Sequence, residues 1–342
     1  MNTAKNTKYF NPLNILYFVL GTLLVVFLLF QIDFQDMLSV ILNVSPGMLV
    51  LGGLLYLCKG LVRGFRFWRI NANLRPGFFR MLRLTLATSL ASQLLPLKLG
   101  ELTYIYAARK DFRTTLSQSL SVLIVVRIFD MLAISLLFVL AALLLAVPGY
   151  LTIYFRYIVA FIALLLLVLV IFLVAGRHVS AVGGWLMRVP WFNRSRWLRK
   201  IGQTVEALLE ELSRFRGSQY LELAGYSLLE WGVNFGMYAA LLYGIGLTPS
   251  LFDPVVAVTF AALASLLPIN SFGNFGMQEA GWMTGMMLLG YSRETALTSA
   301  FATHLLSLGY MLILGGAAWL SYLVNGRFSS LAAAPPVDKR QN

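Results

Sequence analysis

Uninterrupted apolar runs decide most about this chain. Leu13–Phe30 and Tyr157–Ala175 are the cleanest of several. Each approaches or matches the roughly 20 residues that an α-helix needs to cross a bilayer. The chain is 342 residues long and 59% hydrophobic, and only 12% of it is charged. A soluble chain of this size carries about 25% charged residues. Hydrogen-bond closure inside lipid leaves helices as the spanning form. The expected fold class is therefore all-α, a polytopic membrane helical bundle. The first apolar run is followed by Gln31, Ile32 and Asp33. That is not a small-residue cleavage site, so the run is expected to stay as a transmembrane helix.

The net charge of +13 does not point to nucleic acid, because of where the charge sits. Lys and Arg cluster at Lys59–Arg83, Arg109–Arg113 and Arg177–Arg216, beside apolar spans. That is the positive-inside pattern, and it also attracts anionic headgroups. It places both termini in the cytoplasm, at the bacterial inner membrane. Spans are expected at about 12–30, 46–67, 115–147, 151–175, 219–246 and 295–324. Asp33 and Asp36 fall in an outer loop. Of the 27 basic residues, Lys98, Arg127, Arg156 and Arg293 are the exceptions to the inside placement. Within 177–216, Ile201, Val205, Leu208, Leu209 and Leu212 recur at helical spacing, which predicts an amphipathic helix on the inner leaflet. The organisation is one membrane domain over 1–324, with a disordered cytoplasmic tail over 325–342.

Two segments, 78–110 and 255–290, are apolar but broken. The first contains "LASQLLPLKLGE", Leu90–Glu101, and the second "LASLLPINSFGNFGMQE", Leu263–Glu279. Leu-Ala-Ser, Leu-Leu-Pro, a Gly-containing break and a Glu follow in the same order. "RTTLSQS" (Arg113–Ser119) and "RETALTS" (Arg293–Ser299) repeat the parallel. The repeat halves are about 46–147 and 219–324. With charge setting the sides, the first hairpin enters from inside and the second from outside. That makes an inverted repeat with two re-entrant broken-helix hairpins, the arrangement that marks transporter sites. Pro removes a backbone donor and Gly permits the break. The freed backbone groups must face protein or a wet cavity.

The candidate substrate-binding residues are Pro96, Lys98, Gly100 and Glu101 of the first break. From the second come Pro268, Asn270, Ser271, Gly273, Asn274, Gly276 and Glu279. Arg127 and Asp130, three apart on one helix face, are added as charges inside a span. Glu101 and Glu279 sit where a carboxylate either caps a half-helix or lines a cavity. Lys98 either meets a lipid phosphate or snorkels to the surface. Arg127 and Asp130 either serve substrate or form a neutral pair that fixes packing. Glu230 and His304 are expected to face the bundle interior. The lone Cys58 excludes an internal disulfide, and His178 and His304 form no metal cluster. No nucleophile elbow, P-loop or dinucleotide fingerprint occurs, so no catalytic residue, cofactor or metal is expected.

"LPLKLGE" and "SFGNFGMQE" resemble the paired motifs of the lysylphosphatidylglycerol synthase transmembrane-region family. That family includes the flippase half of the bacterial multiple-peptide-resistance factor and stand-alone membrane proteins. Pro96, Lys98, Gly100 and Glu101 match its first motif. Gly273, Gly276 and Glu279 match its second, with Phe272 in place of a Pro and Asn274 in place of the middle Gly. The resemblance implies a protein that moves a lipid between leaflets rather than an enzyme. The lipid would be an anionic phospholipid, an aminoacylated lipid or a lipid-linked glycan. The aminoacyl-transferase domain of the resistance factor has no counterpart in these residues, so lysyl transfer is not expected. An intramembrane enzyme acting on a lipid-linked sugar, or a non-transporting partner of a lipid-modifying enzyme, are the alternatives. A homo-oligomer stays open.

Overall fold

The computed structural model describes residues 12–30, 34–71, 74, 77–95, 100–144, 156–164, 166–167, 217–267 and 272–324. The expected interfacial helix and C-terminal tail lie outside these residues, as do Pro96, Lys98, Pro268, Asn270 and Ser271. Helices make up the fold, and no strand occurs among the described residues.

In chain order the helices are α1 (Pro12–Leu29), α2 (Phe34–Leu42), α3 (Pro46–Ile70), α4 (Phe78–Leu94), α5 (Gly100–Phe112) and α6 (Leu116–Leu144). They continue with α7 (Gly217–Gly244), α8 (Asp253–Ala264), α9 (Met277–Leu288) and α10 (Arg293–Val324). Residues 156–164 are also helical. Among the described residues, helices over Pro46–Ile70, Gln118–Leu144 and Arg293–Ser321 are long and apolar enough to cross a membrane. The chain is a helical membrane protein.

Both broken segments are pairs of short helices. At 1.5 Å per residue, α4 and α5 span roughly 26 and 20 Å, and α8 and α9 about 18 Å each, all below the ~30 Å hydrocarbon core. The partners of each pair lie against one another. Small residues permit this. A Cβ on Gly100 would sit 2.1 Å from the Ser92 nitrogen of α4. A Cβ on Gly281 would sit 2.5 Å from the Phe260 carbonyl, and one on Gly285 would be 2.9 Å from Ala257 Cα. These last contacts run in opposite sequence directions, so α8 and α9 are antiparallel.

The packing plan repeats. The first short helix of each pair lies against the long helix before it, against its own partner and against the last long helix of the other half. For α4 these are α3, α5 and α10, and for α8 they are α7, α9 and α6. Trp319 of α10 donates to the Ala87 carbonyl at 2.9 Å, and Gly315 brings the backbones close there. Between the halves, α3 and α7 run antiparallel.

Two expectations are corrected. Asp36, expected in a loop, lies within the helix α2. Its Met37 and Ile41 pack on Leu28, Leu297 and Phe301. Met37, Leu38 and Ile41 recur at helical spacing, and that apolar face outweighs the loop signal of the flanking acids. The second correction concerns Lys59, Arg63, Arg66 and Arg69. The first three fall within the expected span 46–67, and α3 runs on to Ile70 and takes in Arg69 as well. Their spacing of four, three and three puts them on one helix face, and that face turns toward α7.

Candidate functional site

The cationic face of α3 builds the site. Arg66 is fully buried. Its guanidinium donates to Asp130 of α6 at 2.6 Å and to Ser227 Oγ of α7 at 2.6 Å, and lies 3.0 Å from Glu230 of α7. Arg63 lies 3.9 Å from Glu230. Lys59 donates to Asn234 Oδ1 at 2.8 Å. At the other end Arg69 and Glu222 form a bidentate pair at 2.7–3.0 Å. The partners of Lys59, Arg63, Arg66 and Arg69 thus descend α7 in reverse order, a polar zipper between antiparallel helices. Charges at this depth persist only when paired and hydrogen-bonded. Trp231 adds a donor to Asp130 at 3.3 Å.

Beside the zipper lies a cavity of about 250 Å³. Lys59 and Arg63 reach it from α3, Arg127 and Asp130 from α6, and Glu230, Trp231 and Asn234 from α7. Both broken pairs contribute walls: Ser92, Gln93 and Glu101 from the first, and Ser265, Asn274 and Gln278 from the second. Ser92 and Ser265 are the serines of the two Leu-Ala-Ser repeats, so the sequence repeat meets across one cavity. Two smaller cavities, of about 70 and 170 Å³, share Arg63 and Ser92 with it.

Arg127 and Asp130 both line the cavity, but each has a partner elsewhere. Arg127 meets Glu101 of α5, and Asp130 is held by Arg66. They are one turn apart on a single helix, and α5 and α3 offer each of them a better-placed opposite charge. Glu101 and Arg127 are the most open pair of the cavity wall, with side chains 34% and 46% exposed. Counting Arg66 behind the wall, four cations meet three carboxylates: Lys59, Arg63, Arg66 and Arg127 against Glu101, Asp130 and Glu230. Among the described residues no ion pair claims Lys59.

The second break shows why its residue types are needed. Gly273, Asn274 and Gly276 have φ of +69°, +62° and +103°. Glycine takes this left-handed region freely, and Asn is among the few other residues that tolerate it. Asn274 therefore takes a left-handed conformation like its glycine neighbours, while adding an amide that donates to Gln278 at 3.2 Å. Glu279 then caps α9: its Oε2 accepts from the Gly276 N–H at 2.6 Å. Its other oxygen meets His304 Nδ1 of α10, and both side chains are buried. Glu279 is behind the cavity wall rather than on it.

The two halves share this pattern. In each, the Glu near the start of the second short helix meets a basic side chain on the next long helix. The separations are 26 residues for Glu101–Arg127 and 25 for Glu279–His304. Sequence reasoning did not anticipate Lys59, Arg63 and Arg66 as site residues. The signal was present, since three cations at helical spacing within an apolar stretch mark a buried face rather than a loop. Glu230 and His304 do face the bundle interior, as expected.

No curated protein and no solved structure matches the chain closely enough to count as a relative. The family model described as "Lysylphosphatidylglycerol synthase TM region" matches residues 14–316. That range takes in both broken pairs, the α3–α7 zipper and the cavity between them, and the chain belongs to the lysylphosphatidylglycerol synthase transmembrane-region family.

Proposed function

We propose that this protein carries a polar-headed lipid between the leaflets of the bacterial inner membrane. The headgroup lies in the central cavity while the chains stay in the bilayer. The observation that supports this most is the cavity itself, walled by both broken pairs and lined by charges. An unaided headgroup must leave water to cross hydrocarbon, which costs several kcal/mol for each unpaired polar group. A charged, hydrogen-bonding cavity replaces that water. Its volume of about 250 Å³ lies just under the roughly 300–1,000 Å³ of pockets for drug-sized ligands, so it takes a headgroup and not the chains. The surplus cation Lys59 favours a headgroup that carries a phosphate. Phospholipids, aminoacylated phospholipids and lipid-linked glycans all meet that requirement.

In this reading the repeat is inverted, with α4–α5 entering from the cytoplasmic side, α8–α9 from the opposite side and both termini in the cytoplasm. The repeated packing plan and the matched Glu–basic pairs support it. Labelling of single cysteines at Arg109 and Arg293, in a Cys58→Ser background, tests the arrangement. Arg109→Cys is expected to react from inside and Arg293→Cys from outside. The same side for both ends the inverted arrangement.

Function is tested by reconstitution in liposomes with headgroup-labelled lipids. The protein is expected to accelerate leaflet exchange. Glu101→Gln, which leaves Arg127 without its partner at the open edge of the cavity, is expected to slow exchange at least tenfold. Absence of exchange with every phospholipid and polyprenyl-phosphate lipid tested overturns the transport reading. Chemical turnover of a lipid-linked sugar supports an intramembrane enzyme in its place.

A further inference from the structure

The two broken pairs meet at a half-buried glutamine. Gln93, near the C-terminal end of α4, donates its amide nitrogen to the Gly273 carbonyl of the second break at 3.1 Å. The same nitrogen lies 2.9 Å from His304 Nε2 on α10. His304 Nδ1 meets Glu279, whose other oxygen caps the break at Gly276. One chain of contacts thus runs from the first pair through a histidine to the cap of the second.

The partners decide the protonation state. A backbone carbonyl only accepts, so the Gln93 atom facing Gly273 must be the NH2 group. That same NH2 faces His304 Nε2, so Nε2 must accept. The imidazole is then neutral, with its single proton on Nδ1 directed at the Glu279 carboxylate. Adding a proton to His304 makes Nε2 a donor, and two donors then face each other at 2.9 Å. The conflict is relieved when the Gln93 amide turns its oxygen to the imidazolium. The NH2 group then leaves the Gly273 carbonyl, so the direct bond from α4 to the second break is lost while Gln93 stays bound to His304.

From this geometry we infer that His304 is a proton-binding site that keeps the direct latch from Gln93 to the Gly273 carbonyl closed when neutral and opens it when protonated. The inference deepens the transport reading and rests on it for its purpose: cavity opening is coupled to proton uptake. His304 is the only imidazole among the described residues. Groups from the elements packed against it face this site. From α9 comes the Glu279 carboxylate, against Nδ1. From α7 comes the Tyr238 phenol, which reaches Ser307 and Gln278 beside it. From α4 comes only the neutral Gln93, and α2 brings no described charge. The Phe275 ring of the break lies across the imidazole, with centroids 4.4 Å apart. Gln93 also lines the cavity, so the latch and the headgroup share a wall.

The test needs no transport. Spin labels go on Leu95, exposed at the end of α4, and on Thr284, exposed on α9, in a Cys58→Ser background. In the purified full chain the inter-label distance is expected to lengthen or broaden as pH falls. His304→Gln, which cannot charge, is expected to hold one distribution at every pH. Gln93→Leu, which cannot form the tie, is expected to give the low-pH distribution throughout. Nitrogen NMR of labelled histidine adds a second readout, with the His304 signal identified by its loss in His304→Gln. A proton on Nδ1 is expected at high pH. A proton on Nε2 there, or distances indifferent to pH, overturns the latch. If the pH response is found in a protein that exchanges no lipid, the latch stands and the transport reading fails. Lipid exchange with no pH response has the opposite meaning.

Discussion

Replacing Arg66 by Met is expected to destabilise the protein more than any other single change in the cavity region. The guanidinium is fully buried and holds Asp130, Glu230 and Ser227 at once. Its loss leaves two carboxylates inside the bundle with too few partners. Breaking a buried ion pair from one side costs about 3–5 kcal/mol. Thermal unfolding in detergent should therefore show a large fall in Tm. Arg66→Lys should recover only part of the loss, because an ammonium cannot bridge two carboxylates as a planar fork does. The triple change Arg66→Met, Asp130→Asn, Glu230→Gln should recover more, since it removes the stranded charges. An Arg66→Met protein with unchanged Tm shows that the zipper does not hold α3, α6 and α7 together.

Lys59→Glu is expected to have the largest effect on transport with little effect on the fold. Lys59 is bound to a neutral amide, so reversing its charge breaks no ion pair among the described residues. It does replace the surplus cation of the cavity by a fourth carboxylate. A unit charge about 4 Å from a phosphate is worth roughly 4 kcal/mol at an effective dielectric of 20. A third of that, about 1.4 kcal/mol, is already tenfold in affinity. Leaflet exchange of a phosphate-bearing lipid should fall at least tenfold, while Lys59→Arg keeps most of it. Exchange that is equally fast in Lys59→Glu shows that the phosphate does not meet this side chain.

The α3 cations show how far local sequence reaches. Lys59, Arg63 and Arg66 fall in the inner part of the expected span 46–67 and Arg69 just beyond it, and a charge-placement rule counts all four with the cytoplasmic side. Their spacing puts them on a helix face. Both signals are in the sequence, and neither says what that face meets. What settles the matter is the acceptor set on α7, which is 153–175 residues away along the chain. The same holds for Arg127 and Asp130. Three residues apart, they look like a pair, yet each is taken by an opposite charge from another helix. The second break is the opposite case. Its position follows from Gly273, Asn274 and Gly276, because tolerance of positive φ belongs to the residue type.

By itself the sequence determined that the chain is helical, that it belongs in a membrane and that two apolar segments are broken near their Pro and Gly residues. These follow from run length and from the backbone limits of single residues, which act over a few positions. Only the tertiary structure decided that the two breaks wall one cavity, that α3 lines it with cations, and that Gln93 ties one break to the other through His304. Those contacts join residues far apart in the chain. Charge pairing and hydrogen bonding reach only a few ångströms, so helix packing, not sequence proximity, selects the partners.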